Sequence, residues 1–514
     1  MRKYNGIFLI VAAVFLTSGA FSPAQGATIT VNSTFDPGLI QGVICFPGPC
    51  PPQCILRDAI TAANENRQVN GCAAGQSSGV DRIVFNVGVG TPTILVQSEL
   101  PPILEPVEID GGTGGATRIE INGSNVLIRL TPRLTGRVNG DGLILATGDS
   151  TIRNLVINGF NGNGIVMTSI SGGYLPDHTP PTITDPSIPT APPCDMRPTE
   201  PNCFPRGPGG GEIPPVPPGG GAGSRNKIFG CLIGTDKTGT IAIGNGSGIN
   251  AAGIANNAGI VTDTDMHIIG GPTLEERNVI SGNRGHGLIL GGRGHLARGN
   301  YIGVDVNGAN LGNQFDGINI AGGQFSNATG TIGASQFPWD GKCQMEIDST
   351  GRVLNDRKDC GNRIAFNGRY GVVAGYNSYE ILSNNFFSNG DLGIDVDTFG
   401  VTPNNPAGSN RNYPQWGLWT RVFFTTPPFV RTRVTGSITN RTSGPRIIQV
   451  FHNSSCDPSG NGEGQELILT FTVPGNGAFT FTIPRTSGFI TATSTPLNMW
   501  GSKATSEFSA CLGI

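Results

Sequence analysis

Charge is scarce in this chain: of its 514 residues only 13% are Asp, Glu, Lys or Arg, and the formal net charge is −3. No basic run occurs, so the electrostatic footprint of a nucleic-acid or anionic-membrane binder is missing. The residues that build helices are diluted by 79 Gly and 38 Pro. An interior Gly costs a helix roughly 1 kcal/mol and a Pro about 3, which excludes an ordinary helical enzyme. Beyond the N-terminus, no apolar stretch reaches the roughly twenty residues of a membrane span. What remains is an apolar share of 37%. That is too high for a disordered body and enough for a thin core continued over many repeats.

The N-terminus supplies the compartment. Arg2 and Lys3 precede an apolar stretch from Ile7 to Leu16, and Ala24-Gln25-Gly26 then offers small residues where a signal peptidase reads. Residues 1–26 are expected to be a signal peptide cleaved before Ala27. A membrane anchor is the weaker reading, because the apolar run is short and ends in Ser, Gly and Pro. In an exported chain, 11 cysteines invite pairing. Cys45, Cys50, Cys54 and Cys72 form one group; Cys194 and Cys203 share a loop; Cys343 and Cys360 bracket another; Cys456 and Cys511 share the C-terminal region. Cys231 stands at a repeat position and reads as a small buried apolar residue. Irregular spacing and the lack of a nearby His weigh against zinc in the first group.

A repeated phrase sets the architecture. Asn278-Val279-Ile280 leads to Gly285-His286-Gly287-Leu288, Asn362-Arg363-Ile364 leads to Tyr370-Gly371-Val372, and Asn385-Phe386-Phe387 leads to Leu392-Gly393-Ile394. A short apolar phrase separated by Gly and Asn, returning about every two dozen residues, describes one turn of a parallel β-solenoid. A second pair, Ile233-Gly234-Thr235-Asp236 and Ile302-Gly303-Val304-Asp305, repeats in the same register. Residues 116–173 and 225–400 are expected to be solenoid turns. A Pro/Gly-rich insertion at 174–224 interrupts them, and a shorter one at 335–360 carries Cys343 and Cys360. Turn chemistry fills 401–430, and alternation from 431 to 514 describes the antiparallel strands of a small sandwich.

Ahead of the turns, Leu56, Ile60 and Ala63 recur at helical spacing within Cys54-Ile55-Leu56-Arg57-Asp58-Ala59-Ile60 and the residues that follow. A helix here would cover the exposed first turn of the solenoid. This segment resembles the CSLREA-type domain, named for its Cys-Ser-Leu-Arg-Glu-Ala signature and found near the start of many secreted bacterial β-helix proteins of the pectate-lyase-like superfamily. Cys54, Leu56, Arg57 and Ala59 match it, with Ile55 in place of Ser and Asp58 in place of Glu. The resemblance extends through residues 27–115 as cap and first turns, then over the repeats and the C-terminal region. It implies an all-β fold: a right-handed parallel β-helix with an N-terminal helical cap and a C-terminal antiparallel β-sandwich.

Several residues invite a chemical reading. β-Helices of this kind include sugar-acting enzymes, which need clustered carboxylates. Asp391, Asp395 and Asp397 are the candidates, since Asp395 and Asp397 would share one side of a strand. Asp236 and Asp305 occupy equivalent turns, where a carboxylate accepts turn N–H groups; calcium is the alternative. His286, His295, Arg293 and Arg298 read as exposed corner residues or, alternatively, as a basic group facing acidic sugars. The repeated Asn278, Asn300, Asn362 and Asn385 read as turn builders or hydrogen-bond ladders.

The functional expectation is a secreted or cell-surface, non-enzymatic protein that binds a polysaccharide or another surface component and carries no cofactor. A polysaccharide lyase or glycoside hydrolase acting on acidic glycans is the alternative, and a self-assembling envelope component is a third class.

Overall fold

The computed structural model describes residues 25–38, 53–126, 140–169, 223–248, 257–320, 328–375, 377–397, 399–428, 430–497 and 504–514. The signal peptide expected up to residue 26 (all but its last two residues), Cys45, Cys50, Cys194, Cys203 and nearly all of the 174–224 stretch lie outside them.

Isoleucine at every second position decides the architecture. In the strands of the first sheet it recurs in register as Ile29, Ile83, Ile109, Ile152, Ile228 and Ile269, each directly over the next. A second column runs Ile94, Ile121, Ile157, Ile233, Ile280, Ile302 and Ile364, and ends on Phe386. These side chains are almost fully buried. β-Branched chains suit this position because they pack against their neighbours on the pleat with little rotamer freedom to lose. Three parallel sheets of nine, eight and seven strands result, ending respectively on Ser378–Leu382, Asn385–Phe387 and Ile394–Val396. They enclose one continuous core, a parallel β-helix.

The corners are set by polar ladders. Nδ2 of Asn278 donates to Oδ1 of Asn300 (3.0 Å), Asn300 to Asn362 (3.0 Å) and Asn362 to Asn384 (2.8 Å). The sequence separations, 22, 62 and 22 residues, show how the 335–360 insertion lengthens one turn without shifting the register. The last member of the column is Asn384, not Asn385. Asn385 opens the neighbouring strand, one residue past the corner. A second ladder runs through Asn245, Asn283, Asn313, Asn367 and Asn389 at 2.9–3.1 Å. Each inner Asn amide also donates to a backbone carbonyl, so these buried groups are satisfied, as burial demands.

Gly234 and Gly303 turn two equivalent corners with φ of +91° and +82°, and a Cβ on Gly303 would meet the Ala365 carbonyl at 1.9 Å. Only glycine fits there. The two Ile-Gly phrases are not in adjacent turns, because Ile233 pairs with Ile280 and Ile280 lies beneath Ile302. The intervening corner, Ser281-Gly282, is short. The loops after Asp236 and Asp305 therefore reach past it and meet, with Val306 N donating to Gly239 O.

Both ends of the core are covered. At the N-terminal end the helix Leu56–Glu65 buries Leu56, Ala59, Ile60, Ala62 and Ala63. Cys54–Cys72 ties it down, and Arg57 pairs with Asp36 at 3.0 Å. At the other end two antiparallel sheets, of three and four strands, pack around Val434, Ile448, Val450 and Ile490. This domain meets the last strand of each helical sheet. Thr505 N donates to Tyr379 O, Phe386 and Gly464 exchange backbone hydrogen bonds, and Val396 N donates to Glu507. Phe508 fills the centre, edge-on to Phe386 and Phe451 with centroids 5.6 and 5.2 Å away. The exposed strand edges that would otherwise template aggregation are thereby occupied.

Cys343–Cys360 closes the 335–360 insertion, a small hairpin of Glu346–Ile347 and Val353–Asn355, and Cys456–Cys511 closes the C-terminal domain. Cys231 lies unpaired in the core, its thiol pushed up to about 12 by burial.

Candidate functional site

The three aspartates of the last turn do not act as one group. Asp395 points outward from the strand Ile394–Val396, yet it is only 3% exposed. Asp397 does not share its side of a strand, because the strand ends at Val396 and Asp397 adopts a left-handed φ of +64°. There it holds Arg411 at 2.9 Å, and Arg411 also donates to the carbonyls of Gly375 and Asn377. Asp397 thus clamps the segment after the helix. Asp391 lies at the surface beside Arg369, 3.5 Å away.

A different constellation surrounds Asp395. Register brings His286, Asp316, Tyr370 and Leu392 to successive levels of one corner, each two residues ahead of a paired core residue. His286 Nδ1 lies 3.1 Å from Asp316, Asn319 donates to Asp316, and Tyr370 N donates to it from the next turn. One position earlier, Phe315, Arg369 and Asp391 form a parallel column: the Arg369 guanidinium lies 4.7 Å from the Phe315 ring centroid and 5.1 Å from that of Tyr370. Phe399, 55% exposed, stacks on Tyr370 at 6.2 Å. The outer layer is therefore an aromatic and ionic platform of Phe399, Arg369 and Asp391, and the inner layer is Asp316, His286 and Asp395.

Burial, reinforced by the Glu507 charge, pushes the Asp395 carboxyl up to about 8. Burial also lifts Glu507 to about 7, although the N–H groups of Thr402 and Val396 hold it down. Glu463, which terminates the second Asn ladder by accepting Asn389 Nδ2 at 2.7 Å, is raised by burial to about 8. All three are protonated in the fold at pH values where the unfolded chain has ionised them. Their contribution to stability is complete below the unfolded carboxylate range and is lost as pH rises through about 7 to 8. We expect the denaturation midpoint to fall as pH rises from about 5 to about 8 and to level off above that, and Glu463→Gln with Glu507→Gln to flatten that fall. A profile unchanged by the double variant would contradict it.

His286, His295 and Arg298 are not exposed corner residues; all three are buried. His295 stacks on His267 with centroids 5.3 Å apart. The two rings continue a third ladder: Ser150 N donates to Asn226, Asn226 N to His267 Nδ1, and His267 N to His295 Nδ1. Burial lowers the pKa of both, that of His295 to about 4, so they act as neutral acceptors. Arg298 pairs with Asp340 of the insertion, while Arg293 stays at the surface. Asp236 and Asp305 close their turns. Oδ1 of Asp236 accepts the N–H groups of Thr240 and Ile241, and Oδ1 of Asp305 accepts those of Asn307 and Ala309. In both, Oδ1 is taken up by backbone donors, and Oδ2 of Asp236 accepts the Thr238 hydroxyl at 2.7 Å. Among the described residues, no three His, Cys, Asp or Glu side chains are grouped so as to hold a metal ion.

Asp316, Arg369 and Tyr370 were findable from the repeat, since aligning its Gly-apolar phrases puts them in two columns. Glu463, Glu507 and Phe399 come from loops and from the C-terminal domain, where no period announces them. The chain matches no protein-family model and shows similarity to no curated protein.

Proposed function

We propose that the protein is an extracellular, non-enzymatic β-helix protein that binds a polysaccharide on the last turns of its third sheet. The observation that carries this reading is the exposed Phe399 ring, stacked on Tyr370 and flanked by Arg369 and Asp391. A flat apolar ring takes the C–H face of a sugar, and a guanidinium and a carboxylate beside it take its hydroxyl groups. Among the described residues no helix is long and apolar enough to cross a membrane. Three disulfides fit an oxidising compartment outside the cytosol, with the protein released or held noncovalently at the cell surface. We assign the N-terminal helix to the CSLREA-type domain, on the buried Leu56 and Ala59 and the bound Arg57.

Phe399→Ala is expected to weaken binding about fivefold to tenfold on a glycan array or in affinity electrophoresis. Blank arrays with the wild type at high protein concentration would end this reading.

One observation favours an enzyme instead. A carboxyl raised to about 8 beside a second carboxylate has the properties of a general acid. Against it, Asp395 and Asp316 are 3% and 1% exposed, and a catalytic group must touch its substrate. Release of reducing ends or of unsaturated uronides by the wild type, lost in Asp395→Asn, would establish the enzymatic reading.

A further inference from the structure

On the outer face of the second sheet, strand register places Tyr301 over Arg363, and Phe387 closes the last turn of the same sheet. The Arg277 guanidinium lies 4.2 Å from the Tyr301 ring centroid, and that of Arg363 lies 5.8 Å from Tyr301 and 5.4 Å from Phe387. All four side chains are half-buried, with their outer edges in solvent. Among the described residues, no carboxylate lies within ion-pair distance of Arg277 or Arg363, whereas Arg153, Arg225, Arg298, Arg357, Arg369 and Arg411 each have one.

The stripe does not end at Phe387. That residue also walls a cavity of about 380 Å³ between the last turn and the loop 453–465 of the C-terminal domain. The other walls are mostly polar, Ser388, Ser454, Ser455, Asp457 and Gln465 among them, with Pro458 and Cys456 as apolar patches. Such a volume admits a single pyranose ring, and hydroxyl and amide groups around one aromatic wall suit a sugar's alternation of C–H face and O–H edge. The floor is Glu463, whose buried carboxyl caps the Asn ladder.

We propose that this stripe and cavity form a second binding surface that takes an acidic polysaccharide, its anionic groups on Arg277 and Arg363 and one sugar ring in the cavity against Phe387. The proposal rests on the polysaccharide-binding reading above and narrows it to a charge class. Arg277 spends its Nε–H on the Gly299 carbonyl, which fixes the group beside Tyr301 and leaves its terminal nitrogens for a ligand, while Arg363 has no side-chain hydrogen bond among the described residues; such guanidinium groups suit recognition of a carboxylate or sulfate. Uronates and sulfated sugars share that chemistry. A neutral polymer would leave both arginines unanswered.

The test is affinity electrophoresis of the wild type, Arg277→Ala/Arg363→Ala and Phe399→Ala through gels containing polygalacturonate, dextran sulfate or uncharged dextran. Retardation by one or both acidic polymers, weakened about tenfold or more in the double arginine variant and relieved by salt, is the expected result. Retention by only one of the two acidic polymers identifies the anionic group. Wild-type binding that survives in Arg277→Ala/Arg363→Ala overturns this surface but leaves the polysaccharide reading intact, whereas no retardation in any gel overturns both. Circular dichroism of the double variant guards against misfolding. Should it fold poorly, Arg363→Gln, which keeps the stem and removes the charge, must weaken retention by the acidic polymers for the proposal to stand.

Discussion

Leucine in place of Asn362 is expected to cost on the order of 2–6 kcal/mol. The Asn362 Oδ1 accepts both the backbone N–H and the side-chain amide of Asn300, and its Nδ2 donates to the Ala297 carbonyl. Leucine fills the same space and keeps water out; it leaves the buried Asn300 backbone N–H and one of the two Asn300 amide hydrogens without partners, at about 1–3 kcal/mol each, and takes a donor from the Ala297 carbonyl. The damage should spread along the column, since Asn384 Oδ1 loses one of its two donors in the same step and keeps only the backbone N–H of residue 362. Asn385→Ala is the control. It has nearly the same local sequence but lies outside the ladder, and should change stability by no more than about 0.5 kcal/mol. Equilibrium denaturation followed by circular dichroism reads both, and equal effects would refute the ladder as a source of stability.

Phe508→Ala should cost about 3–5 kcal/mol and act at one end of the molecule. The ring is 2% exposed and touches both bodies, Phe386 of the last turn and Phe451 of the sandwich. Gly464 and Gly393 are glycines to make room for it, since a Cβ on Gly464 would lie 2.6 Å from the ring and one on Gly393 3.0 Å. Removing the ring frees the contact that seats the C-terminal domain, so amide exchange should accelerate first at Phe386, Val396 and Thr505. Those N–H groups bridge the two bodies. Acceleration confined to the sandwich interior, or spread evenly over the helix, would show that Phe508 serves only its own domain.

Both effects bear on how far the sequence can be read. Isoleucine at alternate positions carries its meaning locally, because a strand has period two and a stack of equivalent turns must repeat the same residue. The column through Ile233, Ile280 and Ile302 was therefore legible, as were the helix around Leu56 and Ile60 and the position of Cys231. Ladder membership depends on which of two adjacent residues falls at the corner. Asn384 and Asn385 cannot be told apart without the register, and the ladder takes Asn384. His295 was misread for a related reason: its meaning lies in Asn226 and His267 above it, and a ladder slot filled in turn by Ser, Asn and His has no visible period.

The acids show the same limit from the other side. Asp395 and Asp397 look like a pair only if the strand continues, and one left-handed residue ends it. Asp395 owes its raised pKa to burial and to Glu507, which is 112 residues away in sequence and brought there by the domain that closes the helix. Both aspartates touch the end cap: Asp395 faces Glu507, and Asp397 holds Arg411. The residues left at the surface are Phe399, Arg369 and Asp391, and they are the ones the functional reading rests on.

Affinity electrophoresis of the wild type beside Phe399→Ala, across neutral and acidic polysaccharides, tests that reading most directly. Retardation of the wild type by at least one polymer, reduced about fivefold to tenfold by the substitution and with the polymer's length unchanged, is the expected result. Equal retardation of the two proteins, or a polymer shortened by the wild type, would contradict it.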